Sequence, residues 1–185
     1  ANPYDRLYAK SNLVVDNTNP LFRLAYGTGV NRDSTIAFRV TYYAPKDAAN
    51  SDFYLARFSI YPGPANLDNR IENMTVGYAV DWDIPSDDGS SNTSGGDDSR
   101  HMVYQQGTAS VPNNQRFAAL AVIREDGNPA PGGFVWENAR YVNPLKVYQT
   151  DSLWNKMQNI TKFEGAGIMG DLNSVVVAAV HESVI

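Results

Sequence analysis

The sequence predicts an all-β fold: an antiparallel β-sandwich of jelly-roll type, with one short helix near the C-terminal part. Apolar and aromatic residues alternate with polar ones over many short stretches, with the period of two that is typical of strands. Turn-forming residues separate these stretches, since the chain contains 14 glycines and 10 prolines. A helical period occurs in one segment alone, so the helices that an α/β fold requires between its strands are missing.

The first half of the chain contains four predicted strands, at residues 21–26, 35–43, 52–61 and 70–84. In the second of them, one face is formed by Ile36, Phe38, Val40 and Tyr42. The strand at 52–61 has apolar residues on both faces, and such a strand usually lies centrally in its sheet. In the strand at 70–84, Trp82 shares a face with apolar residues, which predicts that it lies in the core.

The second half contains four more predicted strands, at residues 101–105, 116–123, 134–142 and 174–184. The predicted helix covers residues 150–160, and Thr150 or Asp151 can cap its N-terminus. Its apolar stripe consists of Leu153, Trp154, Met157 and Ile160. The stripe predicts that Trp154 packs into the core.

We expect a single domain over residues 1–185. A chain of 185 residues with 43% hydrophobic and 19% charged residues has a globular composition and can bury a sizeable core. No internal repeat and no composition shift divides it. The chain stops within the apolar run at residues 175–184, which predicts that the domain belongs to a longer chain or to an assembly.

A strand that continues into an acidic loop is the most distinctive stretch. Six of the 20 acidic residues fall between positions 81 and 98, namely Asp81, Asp83, Asp87, Asp88, Asp97 and Asp98. Carboxylates this close repel one another, so folding them together favours a shared cation. Calcium binds six to eight oxygen atoms, and the loop also offers Asn, Ser and backbone oxygens. The stretch therefore predicts a calcium site, with a solvated polar loop as the alternative.

Charge and composition exclude several classes of function. The net charge of −5 leaves no basic stripe that could neutralise phosphates, so we expect no nucleic-acid partner. The absence of cysteine excludes disulfides, thiolate metal sites and cysteine nucleophiles. No apolar run approaches 18 residues, so we expect no transmembrane segment.

The sequence predicts that the chain is not an enzyme. It contains no Gly-x-Ser-x-Gly, no His-Glu-x-x-His and no phosphate loop. A glycoside hydrolase needs two carboxylates that flank a cleft, and no motif supports any of the candidates. These are Glu72, Glu125, Glu137, Glu164 and Glu182.

Aromatic residues suggest a carbohydrate-binding module as an alternative. They make up 11% of the chain, with 11 Tyr and 3 Trp, and exposed rings on a sandwich can stack on sugars. Trp136 follows a Pro- and Gly-rich loop and carries no sign of core packing. It is therefore the predicted ligand platform for a polysaccharide.

Three stretches resemble accessory regions of large secreted or cell-surface bacterial proteins, some of which also carry a subtilisin-like peptidase domain. They are Val80-Asp-Trp-Asp-Ile-Pro-Ser-Asp87, Ser91-Asn-Thr-Ser-Gly-Gly-Asp-Asp-Ser-Arg-His-Met-Val-Tyr104 and Thr150-Asp-Ser-Leu-Trp154. The resemblance covers residues 74–163 and implies an extracellular or cell-surface location and a non-catalytic role. The catalytic motifs of the peptidase are absent from the sequence, so no protease activity is implied.

These observations predict a non-catalytic, extracellular, calcium-stabilised β-sandwich module that serves binding or surface architecture. Its expected partners are other domains or copies of the same chain. A self-assembling surface or filament subunit is a further alternative, because residues 175–184 could add as a strand to a neighbour's sheet. A carbohydrate-binding module and a glycoside hydrolase remain the other two.

Overall fold

Antiparallel strands make up most of the polypeptide in the computed structural model, which describes residues 8–72, 74–82, 84, 92–107, 116–123, 131–137, 150–165, 168–169 and 172–181. Within these residues the chain forms twelve strands and one α-helix. They belong to two units, an N-terminal unit of Ala1–Glu72 with Ser183–Ile185 and a C-terminal unit of Asn73–Glu182. The single domain expected from the sequence stays a prediction.

The N-terminal unit contains one antiparallel sheet. Its strands are β1 (Tyr8–Ala9), β2 (Val14–Asp16), β3 (Phe22–Val30), β4 (Ile36–Pro45) and β5 (Leu55–Pro62). They are arranged in the order β1-β3-β4-β5, and β2 also pairs with β3. β3 and β4 pair without interruption from Phe22 opposite Pro45 to Val30 opposite Ala37. These two long strands form the centre of the sheet.

The predicted central position of residues 52–61 is wrong, because β5 lies at the edge of this sheet and, within the described chain, pairs with β4 alone. Apolar residues on both faces are typical of a buried strand. Here they stay exposed instead: Leu55 is 49% exposed and Tyr61 is 40% exposed on one face, and Phe58 is 43% exposed on the other.

Polar side chains close the turn between β3 and β4. The Oδ1 atom of Asn31 accepts a hydrogen bond from the backbone N–H of Ile36 at 2.9 Å. The Asp33 carboxylate accepts from the Oγ1 hydroxyl of Thr35 at 2.7 Å, while Ser34 adopts a positive φ of 61°. Side-chain acceptors thus replace backbone carbonyls within the tight turn. The hydrogen bonds fix the turn and thereby the register of β3 on β4.

The C-terminal unit contains two antiparallel sheets. The first is formed by β6 (Met74–Asp81), β10 (Gly132–Glu137) and β12 (Leu172–His181), in the order β10-β12-β6. The second is formed by β7 (Thr93–Asp97), β8 (Met102–Gln106), β9 (Phe117–Ala121) and β11 (Ile168–Met169), in the order β11-β7-β8-β9. The two sheets contact each other through β10 and β12 on one side and β7 and β8 on the other. The predicted all-β antiparallel sandwich is confirmed, and its jelly-roll topology stays a prediction.

One segment links both sheets of this sandwich. We call residues 160–165 the closing segment. Its Lys162 carbonyl accepts from Gly133 N of β10 at 3.2 Å, and its Gly165 carbonyl accepts from Gly96 N of β7 at 2.8 Å. Its Phe163 is 5% exposed and contacts Val103 of β8, which is fully buried. The segment therefore ties the two sheets together through both backbone and core.

Glycines allow the closing segment to approach the sheets. A Cβ atom on Gly96 would lie 2.6 Å from the carbonyl carbon of Phe163 and 2.7 Å from the backbone nitrogen of Glu164. A Cβ atom on Gly132 would lie 2.5 Å from the Lys162 carbonyl oxygen. Real side chains essentially never come this close to backbone atoms, so both positions require glycine.

The predicted helix is confirmed as α1 (Thr150–Asn159). Lys156 on α1 pairs with Glu164 of the closing segment, and its ammonium lies 5.5 Å from the centre of the Phe134 ring. Ile160, at the end of the helix, is 5% exposed. Trp154 is 43% exposed, so its predicted burial is wrong. Trp82, also predicted to lie in the core, is half-buried.

Two further strands differ from the sequence expectation. Residues 93–97 were expected within the acidic loop, but they form β7 and pair with β8. The last strand, β12, pairs with both β10 and β6 of its own sheet. Residues 172–181 are thus central in a sheet of this chain, and the addition of residues 175–184 to a neighbour's sheet stays a prediction.

Replacing Gly96 by Ala is expected to destabilise the C-terminal unit by about 1–3 kcal/mol, because either the closing segment or β7 has to shift. Thermal unfolding by circular dichroism measures the effect. The matched control is Gly77→Ala on β6, an exposed strand glycine in the same unit. Equal melting temperatures of the two variants would contradict the close packing.

Candidate functional site

An exposed apolar surface covers one face of the N-terminal sheet. Val15 lies opposite Ala25, Ala25 opposite Tyr42, and Tyr42 opposite Ala56, so this row crosses four strands. Side chains two residues further along each strand point to the same side. We call this surface the aromatic face and define it by Leu13, Val15, Ala25, Val40, Tyr42, Tyr54 and Phe58.

Four side chains of the aromatic face are strongly exposed: Tyr54 is 63%, Val15 66%, Leu13 59% and Phe58 43% accessible. Together they expose roughly 400 Å² of mostly apolar surface, if a large side chain has a full area of about 150–250 Å². The largest apolar patch on an ordinary monomer is about 300–600 Å² and is often functional. The aromatic face lies within that range.

Local hydrogen bonds hold the edge of this face in place. The Asp16 carboxylate accepts from the backbone N–H of Thr18 at 2.8 Å, which turns the chain after β2. Lys46 then donates from Nζ to the carbonyls of Asn17 and Asn19 at 2.8 and 2.7 Å. This clamp joins the turn after β2 to the end of β4. Val15 is thereby held beside β3.

Leu13 reaches the face because β3 has no side chain at Gly27. A Cβ atom there would lie 3.3 Å from Leu13 Cδ2. The segment before Leu13 is bonded to β3 through Ser11, whose Oγ accepts from Thr28 N at 3.0 Å. A glycine in the strand thus makes room for an apolar residue from the preceding segment.

A shallow groove crosses the aromatic face. Its volume is about 420 Å³, and its lining consists of Val15, Arg23, Leu24, Ala25, Tyr42, Ala44 and Tyr54. The rings of Tyr42 and Tyr54 lie 6.2 Å apart at an angle of 56° and form one wall. The lining includes no carboxylate, histidine or serine, so the groove can bind apolar groups but provides no acid, base or nucleophile.

The opposite face of the same sheet combines aromatic contacts with a cation–π contact. There the Arg39 guanidinium lies 5.2 Å from the centre of the Tyr26 ring. Phe22 and Tyr43 form an edge-to-face pair with ring centres 5.9 Å apart. This face also exposes apolar side chains, because Val14 is 47%, Leu55 49% and Tyr61 40% accessible.

The six aspartates predicted to bind calcium are only partly described. Asp81 is the last residue of β6 and lies opposite Asn173 of β12. Its side chain lies outside the described part of the chain, as do the whole residues Asp83, Asp87 and Asp88. Across the described side chains, no three His, Cys, Asp or Glu residues are grouped so that they could hold a metal ion. The calcium site therefore stays a prediction.

Asp97 and Asp98 both bond to the protein itself. Asp97 ends β7, and its carboxylate accepts from Ser99 Oγ at 2.6 Å, Arg100 Nη1 at 2.6 Å and Arg100 N at 3.1 Å. The hydrogen bond from Ser99, followed by those from Arg100, lowers the pKa of Asp97 below its usual value. Asp98 accepts from the backbone N–H of Phe163 at 2.9 Å. The two carboxylates stabilise the β7–β8 turn and the closing segment.

The other predicted residues are distributed as follows. Trp136 is the fifth residue of β10 and lies opposite Asn173, with its side chain outside the described part. Of the carboxylates considered for glycoside hydrolysis, Glu72 pairs with Arg70 and Glu164 with Lys156. Glu125 and Glu182 lie outside the described residues, and so does the side chain of Glu137.

Sequence reasoning missed the aromatic face. Its signal was present, since residues 52–61 carry apolar groups on both faces and residues 13–15 are apolar. The two apolar faces of residues 52–61 predict a central strand, and residues 13–15 carry no prediction. A strand with two apolar faces fits an edge beside a binding surface as well as the centre of a sheet.

Comparisons with protein-family models, with curated proteins and with solved structures found no match to this chain. The resemblance to accessory regions of secreted bacterial proteins stays a prediction. Within the ranges described for this protein, no helix is both long and apolar enough to cross a membrane.

Replacing Asp97 by Asn is expected to lower the melting temperature at pH 7, by an amount that becomes smaller as the pH falls below about 3.9. The folded-state pKa of Asp97 is lowered. Its stabilising contribution is therefore present above the unfolded pKa of about 3.9 and is lost as the pH falls through the lower folded value. Thermal melts between about pH 2 and pH 7 measure it.

The matched control is Asp68→Asn. Asp68 is exposed, and its carboxylate accepts no hydrogen bond within the described part of the chain. This substitution is expected to change the melting temperature little at any pH. A difference between wild type and Asp97→Asn that stays constant over the whole pH range would contradict the assigned hydrogen bonds.

Proposed function

We propose that this chain is a non-catalytic, extracellular β-sandwich module that serves surface architecture and associates with copies of itself through the aromatic face. The observation that carries this proposal is the exposure of Leu13, Val15, Tyr54 and Phe58 on one side of one sheet. A sheet normally buries its apolar face against a second layer. An apolar face in water is stabilised when another apolar surface covers it.

The lining of the groove favours a protein partner over a polysaccharide. Sugar sites combine an aromatic platform with several convergent polar groups that bond to hydroxyls. Arg23 is the one charged residue of this lining, and tyrosine hydroxyls are its other polar side-chain groups. Such a surface suits the apolar side chains of a protein.

A second copy fits the charge and the size of the surface. Two aromatic faces bring together mostly uncharged groups, so little electrostatic repulsion opposes the pairing. Stable interfaces bury about 800 Å² on each partner, roughly twice the exposed area of the four principal side chains. We therefore expect a weak, concentration-dependent association, of the kind that becomes effective when many copies are held on one surface.

Sedimentation velocity is expected to show reversible self-association of the wild-type protein at high micromolar concentrations. The double variant Val15→Asp with Tyr54→Ser is expected to weaken it at least tenfold, because a charge and a lost ring remove about 1.4 kcal/mol or more of binding free energy. Both residues are mostly exposed, so the fold should be retained.

The matched control is Leu55→Asp, which changes a residue of similar exposure next to Tyr54 but on the opposite face. Its self-association should equal that of the wild type. A protein that stays monomeric up to millimolar concentration contradicts the proposed pairing, and so does an equal loss in the control.

Calcium stabilisation is part of the proposal and rests on the density of aspartates between positions 81 and 98. A cation that binds to the native state alone stabilises it by about 2.7 kcal/mol at a hundredfold excess over its dissociation constant. EGTA is therefore expected to lower the melting temperature, and calcium to restore it. Magnesium should restore it poorly, since it prefers a strict octahedral geometry.

Asp81→Asn or Asp83→Asn should remove most of the calcium response. The matched control is Asp97→Asn, because the Asp97 carboxylate already accepts hydrogen bonds from Ser99 and Arg100. This control should melt at a lower temperature and yet keep its response to calcium. Identical melting of the wild type in EGTA and in millimolar calcium would exclude the cation.

A further inference from the structure

Two polar side chains lie inside the sandwich of the C-terminal unit without a hydrogen-bond partner in the described part of the chain. Ser94 of β7 is 0% exposed and Gln105 of β8 is 1% exposed. They lie directly opposite each other in the register of the two strands. Neither Ser94 Oγ nor the Nε2 and Oε1 atoms of Gln105 have a partner among the described residues. Three polar atoms are thus orphaned at one place.

Such a cluster differs from the rest of the buried polar groups in this unit. Asn92 is equally buried at 0% exposure. With its amide oriented to suit its surroundings, Asn92 Oδ1 accepts from the backbone N–H of Ile84 at 2.9 Å and Nδ2 donates to the Ile84 carbonyl. The buried amide of Asn92 is therefore satisfied by the backbone of Ile84, whereas the Ser94–Gln105 pair has no such partner among the described residues.

Buried polar groups almost always have a hydrogen-bond partner, because an orphaned donor or acceptor loses its hydration without replacement. Three orphaned atoms in one place would destabilise a domain of this size severely. The pair therefore requires a partner that the described side chains do not supply.

The chemistry of the three atoms identifies this partner. Gln105 Nε2 donates, Oε1 accepts, and the Ser94 hydroxyl does both. An ion of either sign would be buried beside apolar side chains such as Val103, and the neutral hydroxyl and carboxamide would not balance its charge. We propose that Ser94 and Gln105 form an internal binding site for an ordered water molecule, which bridges the serine hydroxyl to the glutamine carboxamide.

A water molecule fits the number of groups as well as their kind. Buried waters typically make about three hydrogen bonds and occur about once in 27 residues. The bridged pair joins β7 to β8 from inside the sandwich. The neighbouring Gly95 and Gly96 have no side chains that could fix the register of β7 on β8 by packing. The bridged pair therefore helps to fix this register through hydrogen bonds.

A crystal structure of the full chain at about 1.5 Å resolution is the direct test. It should contain a fully occupied water within about 2.7–3.2 Å of Ser94 Oγ and of at least one carboxamide atom of Gln105. A dry Ser94–Gln105 pair, or a protein side chain bonded to these atoms, overturns the proposal.

A double-mutant cycle provides the second measurement. Gln105→Met and Ser94→Ala each remove one side of the bridge while keeping similar volume, and each should lower the melting temperature by about 3 °C or more. The double variant should lose less than the sum, because no orphaned group then remains. Strictly additive effects, or a higher melting temperature of Gln105→Met alone, overturn the proposed bridge. The wild-type crystal structure decides the question even if a variant fails to fold.

Discussion

The close approach of the closing segment to two sheets is the constraint on which the C-terminal unit depends. Residues 160–165 hydrogen-bond to β10 through Gly133 and to β7 through Gly96, so that one short piece of backbone joins the layers. Such a contact is possible because Gly96 and Gly132 have no Cβ atom to collide with it. The same segment places Phe163 in the core against Val103. Helix α1 supports it from outside through the pair of Lys156 and Glu164.

The N-terminal sheet leaves large apolar side chains exposed. The backbone groups of its long strands pair with one another. The turn between β3 and β4 is closed by hydrogen bonds to Asn31 and Asp33. Yet the aromatic face presents Val15 and Tyr54 to solvent. The favourable free energy of the hydrophobic effect is proportional to the apolar area removed from water. Association that buries this face would therefore be favourable. Surface architecture is a function that uses such a face without requiring any catalytic group.

Several of the described carboxylates and amides hydrogen-bond to groups of the protein itself. Asp97 and Asp98 stabilise the turn after β7 and fasten it to Phe163, and Asn92 binds the backbone of Ile84. The Ser94–Gln105 pair extends this use of polar groups into the interior. Density of Asp in a sequence thus has two physical readings, a cation site or a set of turn-stabilising acceptors. Asp97 and Asp98 accept such hydrogen bonds in the structure, and the calcium site of all six aspartates stays a prediction.

The sequence by itself determined the fold class, the antiparallel pairing and the helix at Thr150–Asn159, because alternation and helical periodicity are local properties of the chain. Tertiary structure decided which strands are central. Strand β5 has two apolar faces and lies at an edge, whereas β12 pairs on both sides, and neither follows from a period of two. The strand β7 was hidden among Gly, Ser and Asp because its stability comes from the ladder with β8 and from contact with the closing segment. Exposure of Trp154 and of the aromatic face likewise depends on which surfaces another layer covers, and that is a property of the folded chain, not of any one stretch of it.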